Sequence, residues 1–239
     1  MLILALDSST SVGAISIHND EGLVAEYNLN LAKTHSQRLM PQIISLMDDV
    51  GVTVDDLDGI VVGIGPGSFT GIRIGLATAK SLAQSLEIPI ISLSTLDILA
   101  NELVYIDEYI CPIIDARRNR VYTALYHEVD KLGLKKKASK DQMLEVKELA
   151  KIILQELSNK VIFIGPATKV YQETIEEILG EQAIFIPNHY DLPRGAVLGR
   201  IGSLKLKAGS QHELMDISPN YLKRAQAEID WERKVKKES

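Results

Sequence analysis

Cysteine is almost missing: Cys111 is the only one in 239 residues. An internal disulfide and a four-thiolate metal site are therefore excluded, and a reducing compartment suits the chain. Long apolar runs are missing as well. No stretch approaches the roughly 20 residues a membrane span needs. The apolar start, residues 1–6, is short, lacks a basic flank and meets Asp7 at once, unlike a signal peptide. A cytoplasmic protein with no membrane partner is the expectation. The five histidines, His18, His35, His127, His189 and His212, show no HxxxH, HxxH or HExxH spacing, so no protein-only metal centre is expected. No Gly-x-Ser-x-Gly elbow and no Gly-Lys-Ser/Thr phosphate loop occur, and the third glycine of a dinucleotide fingerprint is replaced by Ser68. Bases are scarce in the first half. Residues 1–104 carry 12 acids and 4 bases, the remainder 20 acids and 22 bases, giving −8 and +2. With Asp48, Asp49, Asp55, Asp56 and Asp58 clustered, the chain alone is a poor partner for a phosphate backbone.

What is present reads as an ordinary globular protein, 46% hydrophobic and 24% charged. Residues 2–6, 14–17 and 23–29 predict a three-strand meander, followed by a helix over 39–50 behind the capping-box spacing of Thr34 to Gln37. Pro41 either kinks that helix or marks its first turn. A strand at 59–64, a helix at 69–86, a strand at 88–92 and a helix at 95–103 complete the half. The rhythm then restarts: strands at 109–114, 120–126 and near 132–137, helix 146–157, strand 161–164, helix 169–179, strand 183–186, helix 194–208. Matching points recur, with Asp7-Ser8 and Asp115-Ala116 ending the first strands and Gly65-Pro66-Gly67 and Gly165-Pro166-Ala167 following the fourth. The pattern predicts an α/β protein of two lobes built from a duplicated βββαβαβα unit: 1–104, 105–219 and a polar tail at 220–239 around Trp231.

Two groups of residues bear on function. Asp7-Ser8-Ser9-Thr10 at a strand end, paired with Asp115 across a cleft, suggests the actin-like superfamily of sugar kinases, heat-shock proteins and actin; the same residues also serve as plain turn caps. The turn at 65–71 opens a helix and offers freed N–H groups to an anion. In that helix Gly71, Gly75, Ala79 and Ala83 fall four apart and, with Ile72 and Leu76, form an apolar arc of roughly 200°, wider than a surface helix needs. Together with Leu39, Met40, Ile43 and Met47 of the first helix, this ridge is expected to receive another subunit by helix packing. Wholly internal helices are the alternative. Arg117 and Arg118 at the second hairpin suit a phosphate, a partner's carboxylate or plain solvent.

These residues resemble a known family. Asp7 to Thr10, His35-Ser36-Gln37-Arg38-Leu39-Met40-Pro41, residues 65–75 (GPGSFTGIRIG), Ala116-Arg117-Arg118-Asn119 and Pro219-Asn220-Tyr221-Leu222 together look like the bacterial TsaB family, also called YeaZ. The resemblance covers nearly the whole chain and is weakest over 129–182. It implies a two-lobed actin-like fold and a non-catalytic paralogue of TsaD, acting in threonylcarbamoylation of adenosine 37 in tRNAs that read ANN codons. It also implies TsaD and TsaE as partners, a homodimer when alone, tRNA reached only through the complex, no cofactor of its own, and ATP or ADP at the boundary with partner subunits. Asp7, Ser8 and Asp115 are then vestiges of a nucleotide site. His35 is followed four positions later by Leu39, where catalytic relatives carry a second histidine. An active ATP-binding phosphotransferase or ATPase using Asp7 and Asp115 is the competing reading, and a metallopeptidase a weaker third.

Overall fold

The computed structural model describes residues 1–30 and 35–222; Thr34 and Trp231, and with them the expected helix cap and most of the tail, lie outside the described residues. β1 (Ile3–Asp7), β2 (Val12–Asn19) and β3 (Gly22–Asn30) form an antiparallel meander. Its second turn closes where Asn19 Oδ1 accepts the N–H groups of Glu21 and Gly22. After α1 (His35–Val50), β4 (Gly59–Gly63) runs parallel to β1; α2 (Phe69–Leu86) and β5 (Ile90–Leu93) follow, then α3 (Thr95–Ala100). The sheet order is β3-β2-β1-β4-β5. Pro41 lies inside α1, whose first turns precede it.

The second half repeats this plan with β6 (Tyr109–Arg117), β7 (Arg120–Thr123), β8 (Tyr126–Val129), β9 (Lys135–Lys137), β10 (Gln142–Glu145), α4 (Val146–Glu156), β11 (Val161–Ile164), α5 (Thr168–Leu179), β12 (Ala183–Phe185) and α6 (Gly195–Lys207). Its order is β10-β7-β6-β11-β12, with β8 beside β6 and β9 on β8. The single strand expected over 120–126 is broken into β7 and β8; the strand expected near 132–137 is β9, which pairs with β8, and β10, which was not expected, takes the place beside β7. The reason lies at Leu125, whose N–H turns to Ser139 Oγ (2.9 Å) and whose carbonyl accepts from Ala138 (2.7 Å), pulling the chain out of the ladder. The two-lobed, duplicated α/β architecture is as the residue pattern predicts.

Both sheets are covered on both faces, which explains their near-continuous apolar strands. Leu4, Leu6, Ile60 and Val62 face α1 and α2; their neighbours Ile3, Ala5 and Val61 face Leu198 and Ile201 of α6. In the second sheet Cys111, Ile113 and Phe163 face α4 and α5, whereas Ile110, Ile114 and Ile162 face Leu96 and Leu99 of α3. The halves thus exchange their last helices: α3 lies on the second sheet and α6 on the first. Each sheet is completed by the last helix of the other half.

The small-residue ridge of α2 is spent inside the chain, which corrects the expected use of Gly71, Ile72, Gly75, Leu76, Ala79 and Ala83 as a partner surface. All six are buried. A Cβ at Gly71 would overlap the Ser8 carbonyl, and one at Gly75 would come within 2.5 Å of Ser8 Oγ. Leu39, Ile43 and Met47 of α1 are likewise buried in the same core. A second glycine face, Gly195, Gly199 and Gly202 of α6, packs against Ile15, His18 and Val61 on the opposite side of the sheet.

Gly71→Ala is therefore expected to destabilise the chain by about 1–3 kcal/mol through overpacking, read as a lower midpoint in urea denaturation. Glu102, in the turn after α3, has Oε1 buried without a hydrogen-bond partner among the described residues. Burial raises its pKa to about 7, with Arg194 opposing, Glu26 adding and Arg200 opposing. A carboxyl whose folded pKa is raised stabilises the fold at low pH and loses that contribution as pH climbs from its ordinary value to about 7. Glu102→Gln is expected to match the native chain at pH about 4 and exceed its stability by about 3 kcal/mol at pH about 8.

Candidate functional site

The turn after β1 is closed by its own side chains. Asp7, 1% exposed, accepts the Ser9 N–H on Oδ1 (2.6 Å) and the Thr95 hydroxyl on Oδ2 (3.0 Å). With that proton committed, Thr95 Oγ1 accepts from Ser9 Oγ at 2.7 Å. Ser8 Oγ donates to the Gly71 carbonyl (2.8 Å), and Ser68 N–H donates to the Ser9 carbonyl (2.6 Å). Ser68 also caps α2, accepting from Gly71 N–H. A Cβ at Gly67 would overlap the Ser9 carbonyl and one at Gly63 the Asp7 carboxylate. The glycine-rich turn therefore packs directly on the Asp7 turn.

Asp115 does not join Asp7 across a cleft. Asp7 is turned to Thr95 at the start of α3, whereas Asp115 projects from the α4–α5 face of its sheet, where Oδ1 accepts from Tyr171 OH (3.1 Å) and Arg117 N–H (2.8 Å). The expected pairing of the two aspartates is thereby corrected: strand-end position does not fix which face a side chain takes. The carboxylate that serves the second lobe's turn is Asp191. Its Oδ1 accepts Gly165 N–H at 2.9 Å and its Oδ2 the Thr168 hydroxyl at 2.7 Å. The Asp191 carboxylate thus ties the turn before α5 to the first side chain of that helix. Burial raises its pKa, against the pull of Thr168 and Gly165.

Between the lobes lies a polar lock. Lys137 Nζ contacts Asp97 Oδ1 (3.1 Å) and Asp141 Oδ1 (2.7 Å); Asp97 also accepts Tyr126 OH (2.7 Å), and Asp141 accepts Ser94 Oγ (2.9 Å) and Asn220 Nδ2 (2.8 Å). Burial disfavours the Lys137 charge, but the two carboxylates outweigh it and its pKa rises. Beyond Asn220, Tyr221 stacks on Phe69 (4.8 Å) and accepts a hydrogen bond from Arg73 Nε (2.8 Å). Thr95 and Asp191 escaped the sequence reading, since each acts on residues far off in the chain and sits in no local pattern; Asp141 escaped it too, its bonds to Ser94 and Asn220 being long-range although Lys137 lies only four residues away. Among the described residues, no three His, Cys, Asp or Glu side chains gather to hold a metal ion.

The outer surface of the α1–α2 layer is different in character. Met40 is 40% exposed and Ile44 53% exposed, one turn apart on α1, and Ile74 and Leu82 of α2 are only partly covered. Of the ten residues expected at a partner surface, Met40 alone is in the open. Ile44 was not among the residues expected at a partner surface, and its place in the sequence beside Ile43, one position off the Leu39, Ile43, Met47 stripe, is the signal that could have found it.

A duplicated strand–helix unit, helices exchanged between lobes and paired turns at the strand ends define an actin-like ATPase fold. The family model described as TsaD, tRNA N6-adenosine threonylcarbamoyltransferase, matches residues 22–231. A protein named tRNA threonylcarbamoyladenosine biosynthesis protein TsaB from Bacillus subtilis is 39% identical over 97% of this chain and 98% of its own length. The Escherichia coli protein of that name is 29% identical over 80% of this chain and 84% of its own. The solved structure of YeaZ from Pseudomonas aeruginosa superposes with a TM-score of 0.78 at 26% identity, covering 92% of this chain and 99% of that one. The chain belongs to the TsaB family of tRNA threonylcarbamoyladenosine biosynthesis proteins. No helix among the described residues is long and apolar enough to cross a membrane.

Asp191→Ala leaves Gly165 N–H, in the turn before α5, and Thr168 Oγ unpaired, a loss of about 1–3 kcal/mol. The variant is expected to melt lower than the native chain, and added inorganic phosphate to restore part of the loss in the variant while leaving the native chain unmoved.

Proposed function

We propose that this chain is a non-catalytic subunit that supports a TsaD-type enzyme as it transfers a threonylcarbamoyl group to adenosine 37 of tRNAs reading ANN codons. The observation that carries this reading is the closure of both turns by the chain's own groups: Asp7 by Ser9 and Thr95, and the start of α5 by Asp191. Closed turns of this kind favour a structural role over phosphotransfer by Asp7 and Asp115. In this reading TsaD is the principal partner, the free chain forms a homodimer, TsaE joins the assembly, and tRNA is reached through the complex in the cytoplasm. The chain has no cofactor of its own, and ATP or ADP is held at the boundary with partner subunits.

The partner surface in this proposal is the outer side of the α1–α2 layer, centred on Met40 and Ile44. An exposed apolar pair beside half-covered neighbours is the kind of centre from which interfaces draw their energy. A carboxylate placed there costs nothing in the free chain and is desolvated in the complex. Ile44→Asp, alone and with Met40→Asp, is expected to keep the thermal midpoint within a few degrees while abolishing co-purification with a TsaD-type partner and self-association in sedimentation. Normal association of both variants, or ATP turnover by the isolated chain that Asp7→Asn removes, would overturn the proposal.

A further inference from the structure

The hairpin between β6 and β7 is built from residues its backbone disfavours. Arg117, Arg118 and Asn119 take φ values of +67°, +57° and +57°. Arg117 pairs with Arg120 across the loop, and the register slips between Asp115 and Arg117. This is a two-residue loop with both central residues left-handed, entered through a bulge, and such positions ordinarily hold Asn, Asp or Gly. Asn119 conforms. The two arginines carry a backbone cost that glycine would not.

Little inside the chain recovers that cost. The Arg117 side chain is 85% exposed, its ion-pair contact being Asp115 at 3.9 Å, and the exposed Arg118 side chain makes no hydrogen bond or ion pair among the described residues. The support beneath them is firm. Asp115 accepts from Arg117 N–H and Tyr171 OH, and the Asn119 carbonyl accepts from the N–H of Val146 at the start of α4 (3.0 Å). Ala116, Val121 and Tyr122, the apolar neighbours, are all buried, so a protein partner finds no hydrophobic centre to cover here. Exposed guanidinium forks on a rigid turn match phosphate oxygens instead. The turn also belongs to the half of the sequence that carries 22 bases to 20 acids.

We propose that Arg117 and Arg118 grip RNA phosphates, adding one or two backbone contacts to the tRNA held by the assembled complex. The proposal rests on the functional reading above and adds a direct RNA contact to it. The test uses the chain assembled with TsaD-type and TsaE-type partners and, as probe, a transcript of a tRNA with adenosine at position 37. With Arg117→Gly and Arg118→Gly combined, the chain is expected to melt no lower than native and to co-purify with its partners normally. The complex is expected to bind the transcript about tenfold more weakly at low salt, with the slope of log affinity against log salt less negative by about 1–2. Arg118→Lys in the native background is expected to retain most of that slope. An assembled variant complex with native affinity and slope overturns the contact and leaves the proposed function standing. Loss of co-purification at an undiminished melting temperature also overturns it, assigning the turn to a partner's carboxylate. Failure of the native chain to co-purify overturns both.

Discussion

Steric exclusion between two pieces of backbone governs this molecule. The Ser8–Ser9 turn and the entrance to α2 lie so close that Gly67 and Gly71 have no room for a Cβ. From that contact follow the glycines of α2 and the hydrogen bonds that consume the Ser8 and Ser9 groups. The small residues weaken the isolated helix by about 1 kcal/mol per glycine, and the approach they permit offsets it.

That contact also shows where the sequence speaks clearly and where it is silent. The limits of α2 were legible because Ser68 is a cap and the apolar arc runs unbroken to Leu86. A ridge of glycine and alanine announces close approach, yet it carries no label for what approaches, and the answer was the chain's own first turn. The duplication could be read from recurrent strand and helix lengths, including β11 to the residue. The aspartates could not, because one position along a strand exchanges the two faces of a sheet. Asp191 acts 26 residues from Gly165 and Thr95 acts 88 from Asp7, so no local periodicity betrays either.

Buried donors left unpaired are costly. At these two turns Asp7 and Asp191 accept the N–H groups of Ser9 and Gly165 and the hydroxyls of Thr95 and Thr168, so the polar groups there are spent on structural hydrogen bonds. The outer face of α1 carries a pair of apolar side chains, Met40 and Ile44, that the chain's own core leaves uncovered.

The exchange of last helices reaches beyond the finished fold. One face of the first sheet stays bare until α6 arrives more than a hundred residues later, and α3 has nothing to lie on until β6 exists. During synthesis the amino-terminal half therefore emerges with a greasy surface that no nearby segment shelters. Such long-range closure slows folding and leaves the nascent chain prone to stray association. Cutting the chain before residue 195 would not release a tidy half-protein, and the lobes stand or fall together.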